Sequence, residues 1–327
     1  MRAAYYDRRG EARDVLRIGE RPTPTPGPGE VRVRLATSGV NPSDWKSRRG
    51  LTTSAPLAEP VIPHSDGAGV IDAVGDGVPA SRLGERVWIW NGQWQRANGT
   101  AAEYIALPSV QAIPLPVGVS FEAGACLGIP ALTALQAVRL ARLGESSAVL
   151  IHGGAGAVAH YAIQFARRRG ARVIVTVSSS DKAEHARAAG AHATVNYRTE
   201  VLGDRIREFT SGRGVDAVID LNFSANAASL PAVIRPHGRV VVYGTNDAEA
   251  TVPALWLMRN SVSVLPFLVY ELEPEDRRAG LVELSDLLTS GTLLHAVAKV
   301  LPLEDVAAAH DLVESGRVIG NVVLSIG

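Results

Sequence analysis

A two-domain α/β architecture, with a β-rich domain and a doubly wound parallel-sheet domain, follows from three features of this 327-residue chain. The length suits two domains of about 100–200 residues each. Short strands separated by Gly and Pro turns occupy residues 1–120, whereas strands and helices alternate from 121 to 265. A glycine cluster at 153–156 sits where an apolar strand runs into a helix.

In the β-rich part, a rigid Pro/Gly run at 22–29 precedes a strand at 30–36, which alternates apolar and polar residues with period 2. Further strands are expected at 69–74, 86–90 and 101–107. The character changes near 120, where Ser120 is a candidate N-cap. A helix is expected over 130–143, closed by Gly144. There follow a strand at 148–152, a helix at 158–169 stopped by Gly170, the strand Arg172–Val177 and a helix at 181–189 stopped by Gly190. The strand Ala193–Asn196, the helix Leu202–Thr210, a strand at 217–221, a helix near 225–234 and a strand at 239–243 complete the series. Alternation of helices with apolar, β-branched strands marks a parallel sheet covered on both faces. The tail from about 266 holds two helices, 275–290 and 304–315, and is too small to stand alone. The expected domains are therefore 1–120 together with 266–327, and 121–265.

Composition narrows the function. Lys plus Arg and Asp plus Glu are each 33, so the net charge of zero disfavours nucleic acid and anionic membranes as partners. Cys126 is the single cysteine, which rules out an internal disulfide and a cysteine cluster for structural zinc. No apolar stretch follows Arg8-Arg9, and no run approaches the ~18 apolar residues of a membrane span. A soluble cytoplasmic protein is expected.

The glycine cluster carries the strongest chemical signal. Gly154, Gly156 and Ala159 fit G-x-G-x-x-G/A between a strand and a helix, the context that makes this pattern a dinucleotide site. The first glycine is expected to make the turn and the second to let backbone approach a pyrophosphate. Ala155, Ala157 and Val158 would surround the phosphates at the helix N-terminus. After the second strand, where NAD sites carry an acid, stands Ser178, followed by Ser179 and, within the next helix, Lys182. A serine does not repel a 2′-phosphate and a lysine can pair with it, so NADPH is the expected cofactor, with Tyr197 at the same edge. The alternative gives the acidic role to Asp181. Asn222 and Gly244 follow later strands, at the carboxyl edge where ligands sit.

These motifs, in this order, resemble the zinc-independent quinone oxidoreductases of the medium-chain dehydrogenase/reductase superfamily, which include the zeta-crystallins. The resemblance covers essentially the whole chain. It rests on Val40-Asn-Pro-Ser-Asp44, Pro63-His-Ser-Asp-Gly-Ala-Gly-Val70, Val74-Gly-Asp-Gly-Val78, Gly84-Glu-Arg-Val87, Ala102-Glu-Tyr104, Thr133-Ala134, the glycine turn, and Gly190-Ala-His with Asn196-Tyr-Arg198. It implies a GroES-like catalytic domain, a Rossmann domain, a cleft between them for cofactor and substrate, and a homodimer or homotetramer with 262–269 as a candidate contact strand. It further implies cofactor contacts from Asn41, Thr133, Phe267 and Leu268. Asn321 stands where relatives often have Lys.

The zinc-dependent relatives use a Cys and a His-Glu pair where this chain has Asn41 and Ser65-Asp66, so no metal is expected. Without a metal, the hydride acceptor must delocalise its own charge, as quinones and α,β-unsaturated carbonyls do. Asn41 is the candidate oxyanion donor, and it competes with a plain turn role before Pro42. Lys46, where many members have Tyr, is a candidate proton source or a surface lysine. Asp66 is expected to orient a neighbour or pair with Arg34, Arg48 or Arg49. The leading expectation is an NADPH:quinone oxidoreductase; the alternatives are an enone, enal or enoyl-thioester reductase and a non-enzymatic NADPH-binding or RNA-binding protein.

Overall fold

The computed structural model describes residues 1–52 and 55–327 as two compact units, Met1–Pro130 with Ser285–Gly327, and Ala131–Leu284. The first unit extends beyond residue 120 because 121–130 pack on its sheet. The Phe121 carbonyl accepts from Thr37 Oγ1 (2.7 Å), and the Ile129 N–H donates to Asp66 Oδ2 (3.0 Å). The second unit keeps 266–284, where Asp276 accepts from Gln136 (2.9 Å).

The first unit contains β1 (Arg2–Tyr5), β2 (Arg17–Glu20), β3 (Glu30–Val40), β4 (Asp66–Val74), β5 (Arg86–Ile89), β6 (Tyr104–Pro108) and β7 (Ala112–Pro114). The long β3 alternates as its sequence requires: Val31, Val33 and Leu35 enter a core shared with Ile71, Val87, Ile105 and Leu107, while Arg32 and Arg34 face outward. It pairs with β4 and β6, both antiparallel.

The second unit contains β8 (Ala148–Ile151), β9 (Arg172–Val177), β10 (Ala193–Asn196), β11 (Val215–Asp220), β12 (Ile234–Val242) and β13 (Ser263–Pro266). All pair in parallel, in the order β10-β9-β8-β11-β12-β13. This is the Rossmann order, and every strand ends at one carboxyl edge. Back in the first unit, β14 (Val297–Pro302) and β15 (Asn321–Ser325) close the sheet order β14-β15-β3-β4-β5-β7.

Ser120 caps its helix by accepting from Ala123 N, and Gly170 and Gly190 take positive φ after theirs. Two helices depart from expectation. The one expected over 130–143 runs Leu132–Ala141, because Pro130 lacks an N–H and lies in the wider turn Leu127–Ala131. Its left-handed C-cap is Arg142 (φ 51°), not Gly144. The stretch near 225–234 breaks into Phe223–Asn226, Ala227–Ser229 and Leu230–Val233; Pro231 starts a new turn there, and Ile234 already belongs to β12. Among the described residues, no helix is long and apolar enough to cross a membrane.

Candidate active site

The strand-to-helix turn after β8 divides its work among three glycines. The left-handed residue is Gly153 (φ 70°), not Gly154. Thr176 fixes the turn from β9: its hydroxyl accepts from Gly153 N (2.9 Å) and its carbonyl from Gly154 N (2.8 Å). Gly154 is needed for packing, because a Cβ there would lie 2.5 Å from Val175 Cγ2. Gly156 is the N-cap of the helix Ala157–Arg168, and a Cβ there would meet only the Gly153 carbonyl, at 3.3 Å. Its Cβ side is therefore open beside the N–H groups of Ala157 and Val158, which have no intrahelical acceptor. That combination of open backbone and a helix N-terminus suits a phosphate. Ala155 is buried in the turn.

Apart from Thr133, on the helix Leu132–Ala141, the other candidate residues of this unit follow successive strand ends at the same edge. Ser178 and Ser179 follow β9; Ser179 Oγ caps the helix Ser180–Ala188, accepting from Lys182 N (3.4 Å). Lys182 lies half-buried in that first turn, and Asp181 is exposed. Tyr197, 56% exposed, follows β10. Asn222 follows β11, where its Oδ1 accepts from Ser224 Oγ (3.0 Å) and Asn246 N (3.0 Å). Gly244 follows β12 and packs so closely on Leu221 that a Cβ would lie 2.4 Å from that carbonyl. Phe267 continues the ladder beyond β13, its N–H donating to Val242 O (3.0 Å), and Leu268 is exposed beside it. Thr133 is buried, and its hydroxyl has no hydrogen-bond partner among the described residues. An orphaned buried hydroxyl and an open glycine cradle both fit a dinucleotide.

In the first unit, Asn41 precedes the helix Pro42–Arg49 and is held by two buried carboxyl groups. Its N–H donates to Asp44 Oδ2 (2.7 Å), and its side-chain Nδ2 donates to Asp66 Oδ2 (2.9 Å). The turn role before Pro42 and the fixed side-chain amide thus coexist. Among the described residues Asp66 pairs with no arginine; Arg48 and Arg49 bind Glu314 instead. Burial drives the Asp66 pKa well above the carboxylate range, and that of Asp44 to about 7. Gly128 is a site residue that the sequence pattern did not reveal. A Cβ there would lie 2.3 Å from Asp66 Oδ1, so only glycine leaves room for the carboxyl group.

Lys46 is half-buried on the same helix, its Nζ 5.7 Å from the Trp45 ring centroid, and burial lowers its pKa. Asn321 is committed elsewhere: its Nδ2 and N–H both donate to Ala296 O (3.0 and 2.8 Å), fixing the start of β15. Cys126 is buried, its thiol donating to Glu122 O (3.2 Å) and its pKa raised by burial. Among the described residues, no three His, Cys, Asp or Glu side chains cluster as metal ligands.

The Asp44 shift has a testable sign. The folded protein holds this proton up to about pH 7, whereas an unfolded aspartate releases it near 3.8. The folded state binds more protons in that window, so this group's stabilisation falls as pH rises through it, by up to ~1.4 kcal/mol per pH unit. Asp44→Asn keeps an acceptor for Asn41 N–H and should flatten the slope. Urea melts of both proteins at pH 4.5 and 6.5 measure it; equal slopes contradict the shift.

Two family models match the chain: an alcohol dehydrogenase GroES-like domain over residues 27–117 and a zinc-binding dehydrogenase over 157–286. The rat quinone oxidoreductase is 31% identical over 90% of this chain and 88% of its own. A 2-haloacrylate reductase from Burkholderia sp. is 32% identical over 90% of each. A crystal structure of an NAD-dependent alcohol dehydrogenase superposes with TM-score 0.90 at 34% identity, covering 100% of both chains. The Escherichia coli quinone oxidoreductase complexed with NADPH does so with TM-score 0.87 at 27% identity, again over 100% of both.

Proposed function

Because the chain belongs to the quinone oxidoreductases of the medium-chain dehydrogenase/reductase superfamily, we propose that it is an NADPH-dependent reductase that passes a hydride to a quinone without zinc. The observation that carries this reading is Asn41, an amide locked between buried carboxyl groups where the zinc-dependent relatives have a cysteine.

The helix Ala157–Arg168 offers its N-terminus to the pyrophosphate beside open Gly156. Ser178, Ser179, Lys182 and Tyr197 form the pocket for the 2′-phosphate, and the Thr133 hydroxyl finds its partner on the cofactor. NADPH, when bound, supplies the hydride. Asn41 gives one amide hydrogen to Asp66 and keeps the second for the acceptor's carbonyl oxygen as negative charge develops there. Asp66, held neutral by burial, orients that amide without opposing an oxyanion. Lys46, whose ammonium burial makes a stronger acid than a free lysine, gives a proton to the reduced acceptor.

Lys182→Ala should weaken NADPH binding about 10-fold, the loss of one charge-assisted contact, while leaving NADH binding unchanged. Fluorescence titration with both nucleotides measures this; equal losses contradict a 2′-phosphate pocket at Lys182. The acceptor is tested by NADPH consumption at 340 nm, with chelator present, against quinones, enones and simple aldehydes. Quinone turnover in chelator is expected. The similarity to 2-haloacrylate reductase favours a second reading, reduction of an activated double bond, and turnover of enones alone selects it. Loss of activity in chelator overturns the zinc-free reading, and NADPH binding without any turnover leaves a non-enzymatic role.

The assembly that accompanies this reading is a cytoplasmic homodimer. The edge strand β13 and the exposed Leu255 and Met258 of the helix Ala254–Arg259 support a contact along that edge of the sheet. Light scattering tests it, and a monomer at micromolar concentration contradicts it.

A further inference from the structure

A chain of buried polar groups leads through the first unit to Asp66. Arg48 Nε donates to His310 Nδ1 (3.4 Å), and His310 Nε2 lies 2.9 Å from His64 Nε2. His64 Nδ1 is 2.9 Å from Ser38 Oγ, which is 2.8 Å from Thr100 Oγ1; Thr100 donates to the Asp66 carbonyl (2.5 Å). All six residues are buried. Arg48 is itself held by Glu314 (2.8 Å) and the Gly10 carbonyl.

Both ends dictate one direction. A guanidinium only donates, so His310 Nδ1 must accept and His310 carries its proton on Nε2. A carbonyl only accepts, so Thr100 donates to Asp66, Ser38 to Thr100, and His64 Nδ1–H to Ser38. His64 Nε2 is then an acceptor, which is what His310 Nε2–H requires. With both imidazoles neutral, every bond is made; a proton added to either ring sets two N–H groups against each other or His310 Nδ1–H against Arg48. The groups facing the pair are Arg48, Ser38 and the other ring. Burial pushes the His64 pKa down to about 3; burial, the neighbouring His64 and Arg48 push that of His310 well below its ordinary value.

A second observation marks the same place. His64 is left-handed (φ 77°), two residues before Asp66. Thr100 ties the turn at both ends, its N–H donating to the His64 carbonyl (2.9 Å) and its hydroxyl to that of Asp66. A non-glycine residue kept in this region needs its surroundings to hold it there.

We propose that His64 and His310 are positioning residues that fix the turn presenting Asp66 to Asn41, with Arg48 setting the direction of the hydrogen bonds. The role rests on the reading of Asn41 as the acceptor's hydrogen-bond donor. His310→Leu should lower kcat for quinone about 10-fold, as small misplacements of a reacting group do, with the affinity for NADPH unchanged. His310→Gln, whose amide can still donate to His64, should recover most of it. A loss of melting temperature with kcat per folded enzyme unchanged overturns the role. The direction is tested without activity, by ¹⁵N-histidine spectra of the wild-type protein at pH 6 and 8. One ring protonated at Nδ1, its partner at Nε2, and a coupling across the Nε2–H···Nε2 bond are expected. A doubly protonated ring, or the same tautomer in both, overturns it. Absence of quinone turnover in the wild type would defeat the functional reading while leaving this spectral result intact.

Discussion

Asn41→Ala should lower kcat by about 10²–10³, the usual effect of removing one oxyanion donor, while leaving NADPH affinity unchanged. The backbone bond from residue 41 to Asp44 survives the substitution, so the helix Pro42–Arg49 keeps its start. Asp66 Oδ2 retains the Ile129 N–H, so the stability cost should stay within the ~1–3 kcal/mol of a broken buried hydrogen bond. Asp66→Ala should reproduce much of the rate loss, because it frees the Asn41 amide to rotate. In the Asn41→Ala background, Asp66→Ala should cost little more, since residues acting through one contact are not additive. Rates on folded enzyme, checked by circular dichroism, measure all three. Independent, multiplying losses would show that Asp66 does not act through Asn41.

The second large effect is expected at the phosphate turn. Gly156→Val should fold, since its Cβ meets only one carbonyl oxygen at 3.3 Å. It should nevertheless weaken NADPH about 10- to 100-fold, the worth of one hydrogen bond to a charged group, because the side chain would occupy the space beside the first-turn N–H groups. Gly154→Val is the contrasting control. Its Cβ would lie 2.5 Å from Val175 and force β8 and β9 apart, so it should lose stability first. Calorimetric titration with thermal melts separates the two. Unchanged NADPH affinity in folded Gly156→Val would place the pyrophosphate elsewhere.

Much of this was readable in the chain, for identifiable reasons. Arg172–Val177, Ala193–Asn196 and Leu202–Thr210 fall where expected because glycine, serine and asparagine punctuate them. Parallel strands share an edge, so Ser178, Tyr197, Asn222 and Gly244 had to emerge together once the alternation was recognised. Local rules failed where tertiary contacts decide. Nothing in the glycine motif says that Gly153 turns the chain while Gly154 packs on Val175. Asn321, expected from the resemblance at a lysine position, serves the strand, because its amide finds the Ala296 carbonyl. Gly128 matters through its closeness to Asp66 and the Ile89 carbonyl, and His64 meets His310 across 246 residues. No periodicity encodes such contacts; they become visible only when the sheet brings them together.

The choice of nucleotide bears most directly on the proposed reductase, because one solved structure of this fold is described as NAD-dependent and another as complexed with NADPH. The decisive measurement is kcat/KM for NADPH and for NADH on one quinone, in chelator and at fixed ionic strength. A preference for NADPH of about 10-fold or more is expected if Ser178, Ser179, Lys182 and Tyr197 hold the 2′-phosphate as proposed. Equal use of the two, or a preference for NADH, would contradict it and hand the ribose to Asp181.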